Sequence, residues 1–499
     1  MGFTDNRDSK KWWQSSLVHG IFGIVLSLVT FAYVPGEQFP EAPYVAAIVM
    51  LMAIWWIFEV IPIPVTALIP IVFFPMFDVS DIGSVSTFYG RPIIFLFLGG
   101  FILALGLQET GLHKRLALRI VHWIGSQPRQ LVLGFMLASG LLSMWISNTA
   151  AVMVLVPIAL SVLEGIKAEG PDKEMIRKFG VCFMLGIAYA ADIGGMATLI
   201  GTPPNLIFLE MYTQLFPDKA AIGFLEWMMI GLPLSATFMF IGWYILTHWI
   251  FRFPKTELFT GEDTIEEQIR ALGPISRDEM ASGLIFLSAV ILWITGSDII
   301  ISDSLTVHGW RSLLGLEYMT DPAVAILAAI LLFLVPSYKK DKGPLLSWKR
   351  SRDIPWGIIL LFGGGFAIAG GFEASGLSVL LEGAFKNIPP MAPLALIIFV
   401  AIAVTFITEL TSNTAITNLI LPILATGAIA MAIDPKLIMI PATLSASCAF
   451  MMPIASPTQT IIFGTGYVSI QQMMRAGIWF NILGIILIVA VFAIYIAVF

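Results

Sequence analysis

Ser147-Asn148-Thr149-Ala150 and Ser412-Asn413-Thr414-Ala415 are the same four residues, 265 positions apart (412 − 147). Each copy stands in apolar sequence, with Leu131–Ile146 before the first and Ala392–Ile407 before the second. A proline, Pro157 or Pro422, follows ten positions after each serine. Other residues keep the offset: Gly99, Gly100, Phe101, Gly106, Gly111 and Leu112 correspond to Gly364, Gly365, Phe366, Gly371, Gly376 and Leu377. The chain is an internal duplication, and its repeated phrase is polar where the surroundings are lipid-like.

Composition fixes the class. Of 499 residues, 58% are hydrophobic and 12% charged, with mean hydropathy +0.89, whereas soluble domains carry about a quarter charged residues. Many stretches reach the ~17–25 apolar residues that cross a bilayer as a helix. The expectation is an all-α polytopic membrane protein. The net charge of −6 decides little, and no basic patch with interleaved aromatics points to nucleic acid. Cys182 and Cys448 lie in apolar segments and read as small buried hydrophobes. The five histidines show no metal-ligand spacing.

A polar amino-terminal tail, 1–17, precedes a first span at 18–34, which no small-residue cleavage site follows; it reads as a retained anchor. Apolar segments continue at Tyr44–Ile61, Pro64–Phe77, Pro92–Thr110, Leu131–Leu163, Phe179–Tyr212 and Trp227–Phe251. Residues 252–278 form a polar linker, and 279–499 repeat the layout of 44–251. Phe179–Tyr212 is broken by Gly201-Thr202-Pro203-Pro204-Asn205. The second half has its own break, Ala455-Ser456-Pro457-Thr458-Gln459, 254 positions later (455 − 201).

Basic residues set the topology, because Lys and Arg concentrate in cytoplasmic loops. If both Ser-Asn-Thr segments are re-entrant hairpins and the amino terminus is cytoplasmic, 22 of the 27 Lys and Arg fall inside. Only Arg91, Lys219, Arg311, Lys386 and Lys436 are left outside. A true span at either segment would spoil that asymmetry. Eleven transmembrane helices plus two re-entrant hairpins result. Each half after the first helix holds five spans and one hairpin, an odd count of crossings. The halves are therefore inverted-topology repeats, with an inward-opening hairpin in the first, an outward-opening one in the second, and the carboxyl terminus outside. Inverted repeats with broken helices at mid-membrane are a plan of secondary transporters.

Non-helical backbone at membrane depth lines a cavity or is buried in protein. Ser, Asn and Thr are good N-cap residues, so each tip starts the returning arm of its hairpin. Helix N-termini there suit an anion, and freed carbonyls and hydroxyls suit a small cation. All Lys and Arg fall in loops or at segment ends, so a dianion at mid-membrane has no basic side chain to pair with. Uncompensated charge is prohibitive to bury, which leads to the expectation of cation coupling. A two-fold site favours a linear dicarboxylate; a compact dianion such as sulfate stays open. The bland alternatives are helix–helix glue for a lone Ser-Asn-Thr and close helix packing for Gly99, Gly100, Gly364 and Gly365. Acids in or near spans are functional candidates: Glu59 and Glu210 read equally as near-interface residues, while Asp192 and Glu409 stand close to a break and a tip.

The paired Ser-Asn-Thr phrases, with Gly201-Thr202-Pro203-Pro204-Asn205 and Ala455-Ser456-Pro457, resemble the divalent anion/sodium symporter family, the INDY-like carboxylate transporters. The resemblance covers the chain after its amino-terminal tail. It implies homodimers in lipid, working by an elevator-like movement of a transport domain against a fixed scaffold. It also implies at least two sodium ions, one at Ser143, Ser147, Asn148 and Gly201, the other at Thr408, Thr411, Asn413 and Ala455. Substrate carboxylates would meet Asn148, Thr149, Thr202, Pro203, Asn413, Thr414, Ser456 and Pro457. Two departures stand out: the second break lacks a Thr-Pro-Pro-Asn, and Asp192 stands where a neutral residue is expected.

The resulting expectation is a sodium-coupled symporter of C4-dicarboxylates (succinate, malate, fumarate) in an inner or plasma membrane, not an enzyme. The rivals are a dicarboxylate exchanger without sodium coupling and a citrate or sulfate symporter of the same family. Outside the class stand an intramembrane enzyme, for which no His cluster, Ser-His pair or paired Asp speaks, and a passive channel.

Overall fold

The computed structural model of the chain describes residues 6–168, 173–220, 222–252, 262–302, 305–339, 343–386 and 391–498. Helices make up most of it. The only strands among the described residues are the short antiparallel pair Ile299–Ser302 and Leu305–Val307. Among the described residues, seven helical segments are long and apolar enough to cross a bilayer: Ser16–Tyr33, Ile82–Thr110, Asn148–Lys167, Phe224–Ile250, Trp356–Ala374, Asn413–Ala430 and Ile470–Ala497. Shorter apolar helices accompany them at Ala42–Ile57, Ile63–Met76, Asp321–Leu334, Pro393–Thr408 and Lys436–Ala446.

The polar phrases do interrupt helices. One helix ends at Ser143 and the next begins at Asn148; in the second copy, one ends at Thr408 and the next begins at Asn413. The Gly-Thr-Pro-Pro-Asn break separates Lys173–Gly195 from Pro203–Leu215, and the Ala-Ser-Pro-Thr-Gln break separates Lys436–Ala446 from Pro457–Gly464. Both helices that follow these breaks start on a proline. Its fixed φ suits a first turn, where the missing N–H would have no helical acceptor anyway.

Some elements differ from the sequence-based expectation. The apolar run at 64–77 is two short helices, Ile63–Thr66 and Ile69–Met76, because Pro64 and Pro70 each open a new first turn. The tail and first span share one helix, Asn6–Tyr33, residues 1–5 lying outside the described residues. Within the linker, 253–261 also lie outside them, while Glu262–Leu272 is helical.

The described residues fall into two compact units that are discontinuous in sequence. One takes residues from 1–94, 207–221 and 355–446; the other takes 95–206, 222–354 and 447–499. In the first, Trp56, Phe74, Val85, Ile368 and Phe372 belong to one buried core. Its close approaches need glycine: a Cβ on Gly364 would lie 2.5 Å from the Ala67 carbonyl, and one on Gly365 would lie 1.9 Å from Asn418 Oδ1.

In the second unit every residue from Phe179 to Thr202 is buried. A helix apolar on all sides is what such a position requires. Phe135 packs edge-on against Phe183, with ring centroids 4.6 Å apart. At Gly140 and Gly194 two helices nearly touch: a Cβ on Gly194 would lie 2.3 Å from the Gly140 carbonyl. Gly364 and Gly365 thus serve close packing, as does Gly99, whose Cβ would lie 2.6 Å from Ala325 Cβ, whereas a Cβ on Gly100 would meet only ordinary contacts. Cys182 and Cys448 are buried and not bridged.

Candidate ion and substrate site

The two Ser-Asn-Thr phrases build the same side-chain contact. In the unit holding the first copy, Ser143 Oγ donates to Asn148 Oδ1 at 2.6 Å. In the unit holding the second, Thr408 Oγ1 meets Asn413 Oδ1 at 2.6 Å. In each case the last residue of one helix reaches the first residue of the next across the tip. Ser143 and Thr408 are fully buried. The Thr408 hydroxyl also lies 3.0 Å from the Ala446 carbonyl, and its single proton serves only one of the two acceptors. Both corners thus bring uncharged oxygens together, the ligand type that suits a hard cation.

The tips differ in their caps. Ser147 Oγ accepts from the Ala150 amide at 3.3 Å, an N-cap bond that satisfies one orphan donor of the returning helix. Ser412 has the extended backbone of a cap but makes no such side-chain bond. Thr411 Oγ1 is buried and has no hydrogen-bond partner. Thr414 is buried, and Thr149 is half-buried.

The Gly-Thr-Pro-Pro-Asn break packs against the first tip. A Cβ on Gly195 would lie 2.7 Å from Asn148 Oδ1 and 3.1 Å from the Gly201 carbonyl. Asn148 and Gly201 thereby meet at Gly195, and Ser143 reaches Asn148, while the Ser147 hydroxyl is engaged as a cap. Thr202 is buried and Pro203 half-buried at the start of the next helix. The carbonyls freed by the break find donors. Asn205 Nδ2 donates to Thr198 O at 2.8 Å and to Gly195 O at 3.2 Å. Trp227 Nε1 donates to Met196 O at 3.0 Å, and Ser235 Oγ to Ile193 O at 2.8 Å.

Asp192 is the charged group of this unit's site. Its carboxylate is 2% exposed. Oδ1 accepts from Asn148 Nδ2 at 3.0 Å. Oδ2 takes Thr458 Oγ1 at 2.9 Å, Ser456 Oγ at 3.2 Å and Gln459 Nε2 at 3.3 Å. Ser456 also caps the Pro457–Gly464 helix by accepting from the Gln459 amide. Ala455 is buried in this same unit, and Pro457 is exposed.

Of the other acids, Glu210 is buried and pairs with Arg91 at 3.4 Å, and Glu59 is exposed. A cavity of about 550 Å³ beside Arg91, lined also by Phe88, Gln214 and Glu373, contains none of the expected site residues. Thr458, Gln459 and Asn205 were not expected in the site. Their signal was the bare presence of amides and hydroxyls in apolar segments. Asn418 Nδ2 donates to Leu361 O, but its buried Oδ1 has no partner.

Residues 9–499 match the profile described as the sodium:sulfate symporter transmembrane region. The chain belongs to this family. Among curated relatives, the sodium-dependent dicarboxylate transporter SdcS of Staphylococcus saprophyticus is 38% identical over 496 residues, covering 98% of this chain and 93% of that one. SdcS of Staphylococcus aureus is 38% identical over 494 residues, with the same coverage of each chain. Among solved structures, Neisseria gonorrhoeae MtrF superposes with a TM-score of 0.58 at 13% identity, covering 97% of this chain and 94% of that one. The Alcanivorax borkumensis YdaH transporter gives 0.50 at 12%, covering 83% and 87%. Those two show the fold alone. As a sodium:sulfate symporter family member the chain is an integral membrane transporter rather than an enzyme, and its resemblance to sodium-coupled anion carriers is borne out.

Proposed function

We propose that this chain is a sodium-coupled symporter of C4-dicarboxylates such as succinate, malate and fumarate. The observation that carries the reading is the twofold corner, Ser143 on Asn148 and Thr408 on Asn413, each at a helix break and each built from uncharged oxygens. Relatives at 38% identity over nearly the whole chain carry the name sodium-dependent dicarboxylate transporter, which supports sodium and dicarboxylate over the alternatives.

Ser143, Ser147, Asn148 and Gly201 hold one sodium, and Thr408, Thr411, Asn413 and Ala455 the second. Their hydroxyl, amide and carbonyl oxygens replace water around a small cation. The substrate's carboxylates are held by Asn148, Thr149, Thr202 and Pro203 with Ser456 and Pro457, and by Asn413 and Thr414. Returning helices at Asn148 and Asn413 turn their first N–H groups towards negative charge. Each asparagine thus serves both ligands: its oxygen faces the cation and its neighbouring amides the anion. Binding of one then lowers the cost of binding the other, which is the coupling a symporter needs. The topology proposed with this is eleven spans and two re-entrant hairpins in inverted repeats, 44–251 and 279–499, with a cytoplasmic amino terminus. The working unit is a homodimer moving by an elevator mechanism.

A sulfate or citrate symporter is the second reading, favoured by the family's description. Competition against labelled succinate tests it: an excess of unlabelled malate or fumarate suppresses uptake, whereas sulfate and citrate leave it nearly unchanged. Suppression by sulfate alone would reverse the assignment.

A further inference from the structure

Asp192 lies 2% exposed inside a stretch buried on every side. Among the described residues no Lys, Arg or His pairs with it; its partners are all neutral: Asn148, Ser456, Thr458 and Gln459. A buried carboxylate with only neutral donors has no counter-charge beside it when ionised, a state that is costly to bury. The cost grows with substrate, because two of those partners, Asn148 and Ser456, belong to the proposed dicarboxylate site. A dianion sharing partners with a bare carboxylate places like charges side by side.

The oxygens around Asp192 fit a remedy. Oδ2 lies 3.2 Å from Ser456 Oγ and 2.9 Å from Thr458 Oγ1, and the two hydroxyls are 2.5 Å apart. These three atoms form a triangular face of hard ligands. Gln459 supplies a second, independent observation: the residue is fully buried, and its Oε1 has no hydrogen-bond partner. Its Nε2 sits 3.3 Å from Oδ2. Turning the terminal amide over exchanges donor for acceptor and brings Oε1 to the same face, where only a cation would reward it.

We propose that Asp192, Ser456, Thr458 and Gln459 form a further sodium site, in addition to the two at Ser143–Asn148 and Thr408–Asn413. The site rests on the symporter reading above and extends it. Sodium held there bridges the protein carboxylate and the incoming anion, and the hydroxyls rotate to present lone pairs to the ion. It gives this chain one more coupled cation than the tips alone supply.

The test is equilibrium binding of radioactive sodium to the purified full-length protein, together with the sodium-to-succinate ratio in proteoliposomes. Asp192→Asn is expected to bind one sodium fewer per protomer and to lower the transport ratio by one. Thr458→Ala and Gln459→Leu, which keep the carboxylate, are expected to raise the sodium half-saturation of one class of sites by roughly tenfold, the scale at which lost coordinating partners weaken a metal. If Asp192→Asn does not fold, these two variants decide. An unchanged sodium count in Asp192→Asn, or unchanged half-saturation in both other variants, overturns the site while leaving sodium-driven uptake by the wild type intact. A wild type that binds sodium but carries no dicarboxylate would instead defeat the transport reading, and loss of one bound ion in Asp192→Asn would still support the site.

Discussion

Asn148 and Asn413 carry the largest consequences at the scale of single residues. Each accepts from the hydroxyl five positions earlier, Ser143 or Thr408, and each opens a helix. Asn148→Ala or Asn413→Ala is expected to abolish labelled succinate uptake while the protein still inserts and elutes as a single species. Near-normal uptake by both would remove the proposed site. The stability cost should stay modest, about 1–3 kcal/mol for Asn148→Ala, which leaves the Ser143 hydroxyl without its acceptor, and less for Asn413→Ala, where Thr408 keeps the Ala446 carbonyl. Thr414→Ala is expected to raise KM for succinate more than the sodium half-saturation, because its hydroxyl is assigned to substrate; equal changes would make it a sodium residue. Gly365→Ala acts through packing. A Cβ there would lie 1.9 Å from Asn418 Oδ1, so the helices must part, at roughly 1–3 kcal/mol, read as a lowered Tm in detergent.

Helices and breaks were legible in the sequence where proline, glycine and the repeat agreed. Both Ser-Asn-Thr tips fall between helices at corresponding positions, and both second breaks restart on proline. Less legible was what faces each break. Nothing in the spacing says that Ser456, Thr458 and Gln459 converge on Asp192, because that meeting depends on helix packing over more than half the chain. The helical part of the polar linker was missed for a related reason: its charged sequence carries no membrane signal, and its end is fixed by a distant residue. Arg115 donates to the carbonyls of Leu272, Gly273 and Pro274 and to both oxygens of Glu279. Both side chains are almost fully buried. Glu279→Ala leaves that guanidinium its three carbonyl acceptors but no counter-charge, and is expected to destabilise the fold by about 3 kcal/mol. Purified protein should unfold at a clearly lower temperature, while the sodium half-saturation of the surviving protein stays unchanged. An unaltered Tm would show that the pair contributes nothing net.

For the molecule as a whole, the duplication and the confinement of basic residues to loops or segment ends in the sequence are one argument. A dianion crossing such a protein needs its charge offset, and the proposed sites would supply that from cations held by neutral oxygens instead of from arginine. The compact units draw on both halves of the sequence, so the repeat is legible as sequence and local geometry rather than as two consecutive domains. The most direct measurement is uptake of labelled succinate into proteoliposomes under an inward sodium gradient and under an equal choline gradient. Sodium-driven accumulation, with none above leak in choline, is the predicted result. Equal uptake in both, rising when unlabelled dicarboxylate is preloaded inside, would make the protein an exchanger and contradict the account.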